Sequence, residues 1–173
     1  MSDKKYQICP LSAVCKIDKG EQINGSELLK IGQYEFFNGG ISASGYWDTW
    51  NVEGNSISIS EGGNSCGYVN YQDKPYWCGA HCYHLSALKI DTYFLYSQLK
   101  TRQDEIMALR TGICMPNIKK KSMEEFEIVV PELTEQIRFS TFAQQSDKSK
   151  FELEQALNDL TATYKRIITE NLG

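Results

Sequence analysis

Cys78-Gly-Ala-His81-Cys82-Tyr-His84, with Cys66 upstream, is the densest group of possible metal donors in the 173-residue chain. Thiolates and imidazoles at this density are the ligands of a tetrahedral zinc. A closed structural site draws on two paired knuckles, however, and no second CxxC-like pair is present. In a strand from Trp77 to Leu85, alternation puts Cys78, Ala80, Cys82 and His84 on one face and His81 on the other. That pattern favours buried cysteines with a surface histidine, and leaves a zinc-stabilised interaction module as a second reading. A Cys–His nucleophile fails on the same geometry, because adjacent strand residues point apart and nothing orients them. No P-loop, HExxH, GxSxG or Pro-Pro motif occurs, and the glycines of Phe37-Asn-Gly-Gly40 are wrongly spaced for a methyl-donor loop. The chain is expected to be no enzyme and to hold no cofactor of its own.

The other chemistry on offer is contact with a polyanion. Lys119-Lys120-Lys121 follows a proline-containing turn, and lysines act well as point charges on phosphates. Lys74 and Arg110 add isolated cations, and Tyr46, Trp47 and Tyr76 stand near turns, where an aromatic either reads a base or plugs the core. Bulk charge gives no footprint. The net charge is -4, residues 1–130 carry 13 Lys/Arg against 15 Asp/Glu, and residues 131–173 carry 5 against 7. Any basic surface must therefore be a local patch. No apolar run approaches the ~20 residues that cross a bilayer, and Met1-Ser-Asp-Lys-Lys has no apolar segment behind it. The expected compartment is the cytoplasm, where the six cysteines (Cys9, Cys15, Cys66, Cys78, Cys82, Cys114) stay reduced.

The elements that must position these residues fall into three stretches. Ile8, Leu11, Val14 and Ile17 recur at helical spacing. Residues 34–85 alternate aromatic and β-branched residues with turns, as in Ile57-Ser-Ile59, which fits short strands. From Asp91 the period becomes helical through Leu95, Leu99, Ile106 and Leu109, with an interruption near Thr101. Asp91 or Thr92 is placed to cap this helix, and Gly112 to close it. Phe126, Ile128 and Val130 alternate as a strand, and Pro131 opens a helix whose first turn carries Glu132 and Glu135. Leu133, Ile137 and Thr141 are expected to lie on the domain, and Gln144–Ser149 to kink or fray. Beyond, Leu153, Ala156, Leu157, Leu160, Tyr164 and Ile167 make a coiled-coil-like seam. An apolar stripe on a projecting helix requires a partner.

The fold class is therefore α+β: a recognition domain over 1–130 with a twisted, mainly antiparallel or mixed sheet and short helices, then a long helix over 131–173. In order, Asn38-Gly39-Gly40-Ile41, Gly45-Tyr46, Ile57-Ser-Ile59, Gly67-Tyr-Val69, Pro75-Tyr-Trp77, Pro116-Asn-Ile118 and Ile128-Val-Val-Pro131-Glu-Leu-Thr-Glu-Gln136 resemble the specificity (S) subunit of type I restriction–modification systems. The resemblance covers nearly the whole chain. Family subunits carry two recognition domains and two spacer helices, and this sequence has one of each, so it resembles a half-subunit or a truncated copy. The resemblance implies double-stranded DNA as ligand and self-pairing through an antiparallel coiled coil of the terminal helix. It also implies a methyltransferase (M) subunit carrying S-adenosylmethionine and a restriction (R) subunit as partners, with adenine-N6 methylation as the outcome. It implies no role for the Cys/His cluster.

Overall fold

Ser56–Ser60 is buried at all five positions, and its alternation organises the domain. Ile57 and Ile59 enter the main apolar core, while Ser56, Ser58 and Ser60 turn to the opposite layer. The computed structural model describes residues 6–112 and 115–172. The leader reading of Met1–Lys5, Cys114 and the terminal Gly173 lie outside the described residues. Strands are β1 (Gln7–Pro10), β2 (Lys16–Lys19), β3 (Tyr34–Phe37), β4 (Gly45–Trp47), β5 (Ser56–Ser60), β6 (Val69–Gln72), β7 (Trp77–Cys78), β8 (Cys82–Ser86) and β9 (Glu127–Val130). Helices are α1 (Thr92–Thr101), α2 (Gln103–Ala108), α3 (Lys120–Glu124) and α4 (Leu133–Leu172).

An antiparallel sheet runs in the order β2-β8-β5-β6. Its register sets Ile17, Leu85, Ile57 and Tyr71 in one cross-strand row, and α1 covers that face with the fully buried Leu95 and Leu99. Tyr71 packs edge-on against Tyr93 at 5.0 Å. The second sheet, β4-β3-β7, is mixed: β3 pairs antiparallel with β4 and parallel with β7. It closes over a smaller core of Phe37, Val52, Tyr76, Cys78 and Cys82. A third ladder, β1 with β9, ties Gln7 to Val130 and delivers the chain to α4. The class is α+β with a long C-terminal helix, as the sequence indicates.

Several local expectations are corrected. The i, i+3 spacing of Ile8, Leu11, Val14 and Ile17 belongs to two strands joined by a 3-10 turn at Leu11–Ala13. The backbone N–H of Leu11 is spent on the Phe126 carbonyl at 2.8 Å, which holds this segment in long-range pairing. The run from Trp77 to Leu85 is two strands in two sheets, broken at 79–81. There Gly79 approaches so closely that a Cβ would stand 2.4 Å from Asn38 Oδ1. The helical stripe after Asp91 does break, at Arg102, between α1 and α2. Asp91 is the cap, accepting from the Phe94 N–H at 2.8 Å. Gly112, at φ +90°, lies beyond the end of α2 in a turn closed by Thr111 and Asn117, so it is not the residue that closes that helix. Lys120 and Lys121 stand in α3 rather than in a turn.

The anchoring of α4 also differs. Leu133 and Ile137 are exposed, and Thr141 with them. The face on the domain is instead polar. Gln136 is 3% exposed, accepts from the Asp91 N–H at 2.9 Å and donates to the Pro131 carbonyl at 2.8 Å. Ser140 donates to the Asp91 carboxylate, and Tyr93 donates to Asp147. These positions recur at four- and seven-residue steps along one face. The helix is continuous through Gln144–Ser149 and does not fray there. Replacing Gln136 with Ala leaves the Asp91 N–H and the Pro131 carbonyl without their partner. The expected cost is ~1–3 kcal/mol, seen as a lower midpoint in urea denaturation, with α4 loosened first in hydrogen exchange.

Candidate nucleic-acid interface

Four segments converge at one end of the two sheets: the turn after β3 at Asn38, the turn after β5 at Gly62–Asn64, His81 between β7 and β8, and Met115–Asn117. Together they line an open depression of about 530 Å³. Glu61, at the end of β5 and 7% exposed, holds them. Its N–H donates to the His81 carbonyl at 3.0 Å, and its carbonyl accepts from the Ile118 N–H at 2.9 Å. Its carboxylate accepts from Lys19 Nζ and, at 3.0 Å, from the Tyr83 hydroxyl. The Gly63 N–H donates to the Pro116 carbonyl at 3.0 Å, and Asn38 Oδ1 accepts from the His81 N–H at 3.1 Å. Gly39 and Gly63 adopt φ of +83° and +75°, which glycine takes without a Cβ penalty. Burial and the adjacent Glu61 keep Tyr83 protonated, so it donates.

The sequence-derived DNA candidates separate into two groups. Tyr46, Lys74 and Tyr76 border a smaller depression of about 280 Å³ near the β3–β4 edge. Tyr76 is only 1% exposed, so its ring belongs to the second core. Its sequence neighbourhood of turns hid this, because the core it fills is completed by the distant Phe37 and Val52. Trp47 packs against Trp77 at 6.2 Å. Arg110 and Lys119 are exposed on the two arms of the turn closed by the Thr111–Asn117 bridge, beside the larger depression. Lys120 and Lys121 sit 3.7 Å from Glu124 and Glu125, one helical turn on. Such exposed pairs are weak, but they dilute the basic patch expected at 119–121.

The Cys/His group does not assemble. Cys66 lies in the main core, Cys78 and Cys82 in the second, and His81 is exposed in the turn. Among the described residues no three His, Cys, Asp or Glu side chains converge as a metal site. The described cysteines Cys9, Cys15, Cys66, Cys78 and Cys82 are free. Burial, with Asp18 nearby, pushes the Cys15 thiol up to about 12, and contact with Cys82 together with burial keeps Cys78 a thiol. Cys15 and Cys78 are therefore poor nucleophiles, while the hydrogen bond from Cys78 shifts the Cys82 thiol down.

Beyond Asp147, α4 carries an exposed apolar series: Phe151, Leu153, Leu157, Leu160, Tyr164, Ile167 and Ile168. Ala156 is exposed with them. The Leu153, Leu157, Leu160, Tyr164, Ile167 positions alternate steps of four and three, the spacing of a coiled-coil seam. No described helix is long and apolar enough to cross a membrane.

This combination of a two-sheet domain and one long helix has relatives. The model of the type I restriction modification DNA specificity domain matches residues 3–161. The chain belongs to that family. A Mycoplasma pneumoniae protein described as a type I specificity subunit is 39% identical over 121 residues, covering 68% of this chain and 32% of that protein. The crystal structure of the type I restriction–modification S subunit from M. genitalium superposes with a TM-score of 0.81 at 31% identity, over 90% of this chain and 42% of that one. The HsdS subunit of Thermoanaerobacter tengcongensis shares the fold, with a TM-score of 0.63 at 18% identity over 90% of this chain and 40% of that one. The chain thus spans about a third of the curated relative and less than half of these structures.

Sequence reasoning missed Asn38, Asn64 and Asn117 as site residues and treated His81 only as a metal donor. The signal available was Asn38 and Asn64 beside turn glycines and Asn117 after Pro116, which also marks ordinary turns. On the β8 face opposite the main core, burial lowers the pKa of His84, opposed by Asp18, and its buried Nδ1 has no partner among the described residues. The fold therefore favours neutral His84. Its contribution is intact above the unfolded value of ~6.5 and is lost as pH falls toward the lower folded value. Denaturation midpoints are expected to drop between pH 7.5 and 5.5, and His84→Gln to shrink that drop.

Proposed function

We propose that this chain is a non-catalytic DNA-recognition unit of a type I restriction–modification system that pairs with a second copy of itself through α4. The observation that carries the reading is a specificity-family domain joined by side-chain hydrogen bonds to a 40-residue helix whose outer half exposes an apolar seam. At 1.5 Å per residue that helix is about 60 Å long. Two such helices, antiparallel, would hold the domains far enough apart to meet half-sites about one DNA turn, ~34–36 Å, apart. A two-fold pair presents identical surfaces, so the target would be an interrupted inverted repeat of double-stranded DNA. Adenine-N6 methylation and restriction would be the work of partner M and R subunits, with S-adenosylmethionine held by the M subunit.

Leu160→Asp places a charge in the seam. The expected result is a shift in solution mass from dimer to monomer, with weaker binding to the repeat. A variant with wild-type mass and DNA affinity removes the self-pairing reading. Co-purification with the cognate methyltransferase, followed by mapping of methylated adenines, tests the directing role. A protein that fails to associate is a non-assembling copy. Replacing Lys119, Lys120 and Lys121 together with Ala is expected to weaken binding to all sequences about equally and to flatten the salt dependence by up to about three phosphate contacts. Unchanged binding at low salt would assign these lysines to a solvated helix start.

A further inference from the structure

The depression held by Glu61 is built for a ligand that offers hydrogen-bonding edges rather than charge. Asn64, His81 and Asn117 are exposed, and none makes a side-chain hydrogen bond to another described residue. Asn38 uses its carbonyl oxygen on the His81 N–H and keeps its amide donors. Their backbones, by contrast, are fixed. The His81 carbonyl accepts from Glu61, the Pro116 carbonyl accepts from Gly63, and a bridge pairs Gly62 with Asn117. A loop backbone already fixed need not be ordered on binding, so only the side-chain rotamers remain to be set. The lining holds no Lys, Arg, Asp or Glu, which suits base edges better than phosphates. The cations stand outside it: Arg110 and Lys119 flank the Thr111–Asn117 bridge, where phosphates beside a contacted groove would lie.

We propose that Asn38, Asn64, His81 and Asn117 form the base-reading surface of this domain, entering the major groove of duplex DNA, and that Asn64 and Asn117, whose amides are whole, select adenine. An asparagine amide pairs bidentately with adenine N6 and N7, the one base edge that matches its donor and acceptor together. The proposal rests on the DNA-recognition reading above and names the residues that carry it. Glu61 acts as a positioning residue, setting three of the four segments without reaching the groove.

The test is selection by the full chain from duplexes with a randomised core, followed by competition against an unrelated duplex. Wild type is expected to enrich a defined motif. Asn64→Ala, Asn117→Ala and His81→Ala are each expected to lose preference at one or two positions of that motif, by roughly 5- to 150-fold against the wrong base. Affinity for the unrelated duplex should change less than about two-fold, because no phosphate contact is removed. Asn117→Asp turns a donor–acceptor into an acceptor, so its preferred base should move from adenine toward cytosine. All are surface changes, and unaltered thermal unfolding confirms the fold. If wild type selects a motif and these variants select the same one with the same preference, the base-reading assignment is overturned while the recognition reading stands. If wild type selects no motif, the recognition reading fails and this assignment with it.

Discussion

Glu61 is the constraint on which the domain's working end depends. It directly follows β5, the strand at the centre of the buried alternation, with its carboxylate nearly removed from water. A buried carboxylate is costly unless it is paired and hydrogen-bonded. Here Lys19 from β2 and Tyr83 from β8 meet that requirement, so the two strands on one side of β5 are set relative to its end. Its two backbone groups then capture the His81 turn and the segment leading to Ile118. One residue thereby converts the order of a sheet into the order of the loops beyond it. The one Tyr83 hydroxyl proton is shared between Glu61 and the Ile118 carbonyl, 3.2 Å away, so Tyr83 also borders that segment.

The join between domain and helix follows an unusual division of labour. A helix on a domain usually buries its apolar face and exposes its polar one. In α4 the inward face is Gln136, Ser140 and Asp147, satisfied by Asp91, Pro131 and Tyr93, with Phe139 against Phe94 at 5.6 Å. Directional bonds fix the helix angle more tightly than apolar contact would, because each has a narrow geometry. Most of the apolar side chains of its outer half stay exposed, available to another surface. A ruler between two DNA sites needs both properties: a fixed direction at its base and an adhesive edge along its length.

Much of this was legible in the chain. Ile57-Ser-Ile59 reads as a strand because alternation is a local property. The Pro131 junction reads as a strand passing into a helix, and the seam from Leu153 to Ile167 reads as a surface awaiting a helix. The family itself could be recognised from the order of short motifs. The site was only partly legible. The lysine cluster drew attention as three like charges in a row, yet two of them face glutamates one helical turn on. Tyr76 looked like a turn aromatic, and it is the centre of a small core. Asn38, Asn64 and Asn117 gave no signal of base reading, since asparagine beside glycine or proline is what any turn contains.

The sequence by itself determined the strand at Ile57–Ile59, the helix opening at Asp91 or Thr92, the long terminal helix and the family, because alternation, capping residues and short motifs are written within a few neighbouring residues. Only the tertiary structure decided that Trp77–Leu85 splits between two sheets, that the helix turns its polar face inward, and that four distant turns meet over Glu61. Those outcomes depend on partners tens of residues away: Asn38 excluding a Cβ at Gly79, Asp91 claiming Gln136, Lys19 neutralising Glu61. Long-range pairings of this kind leave no period in the chain, so the loops at the end of the sheets could be placed only once the sheets themselves were in place.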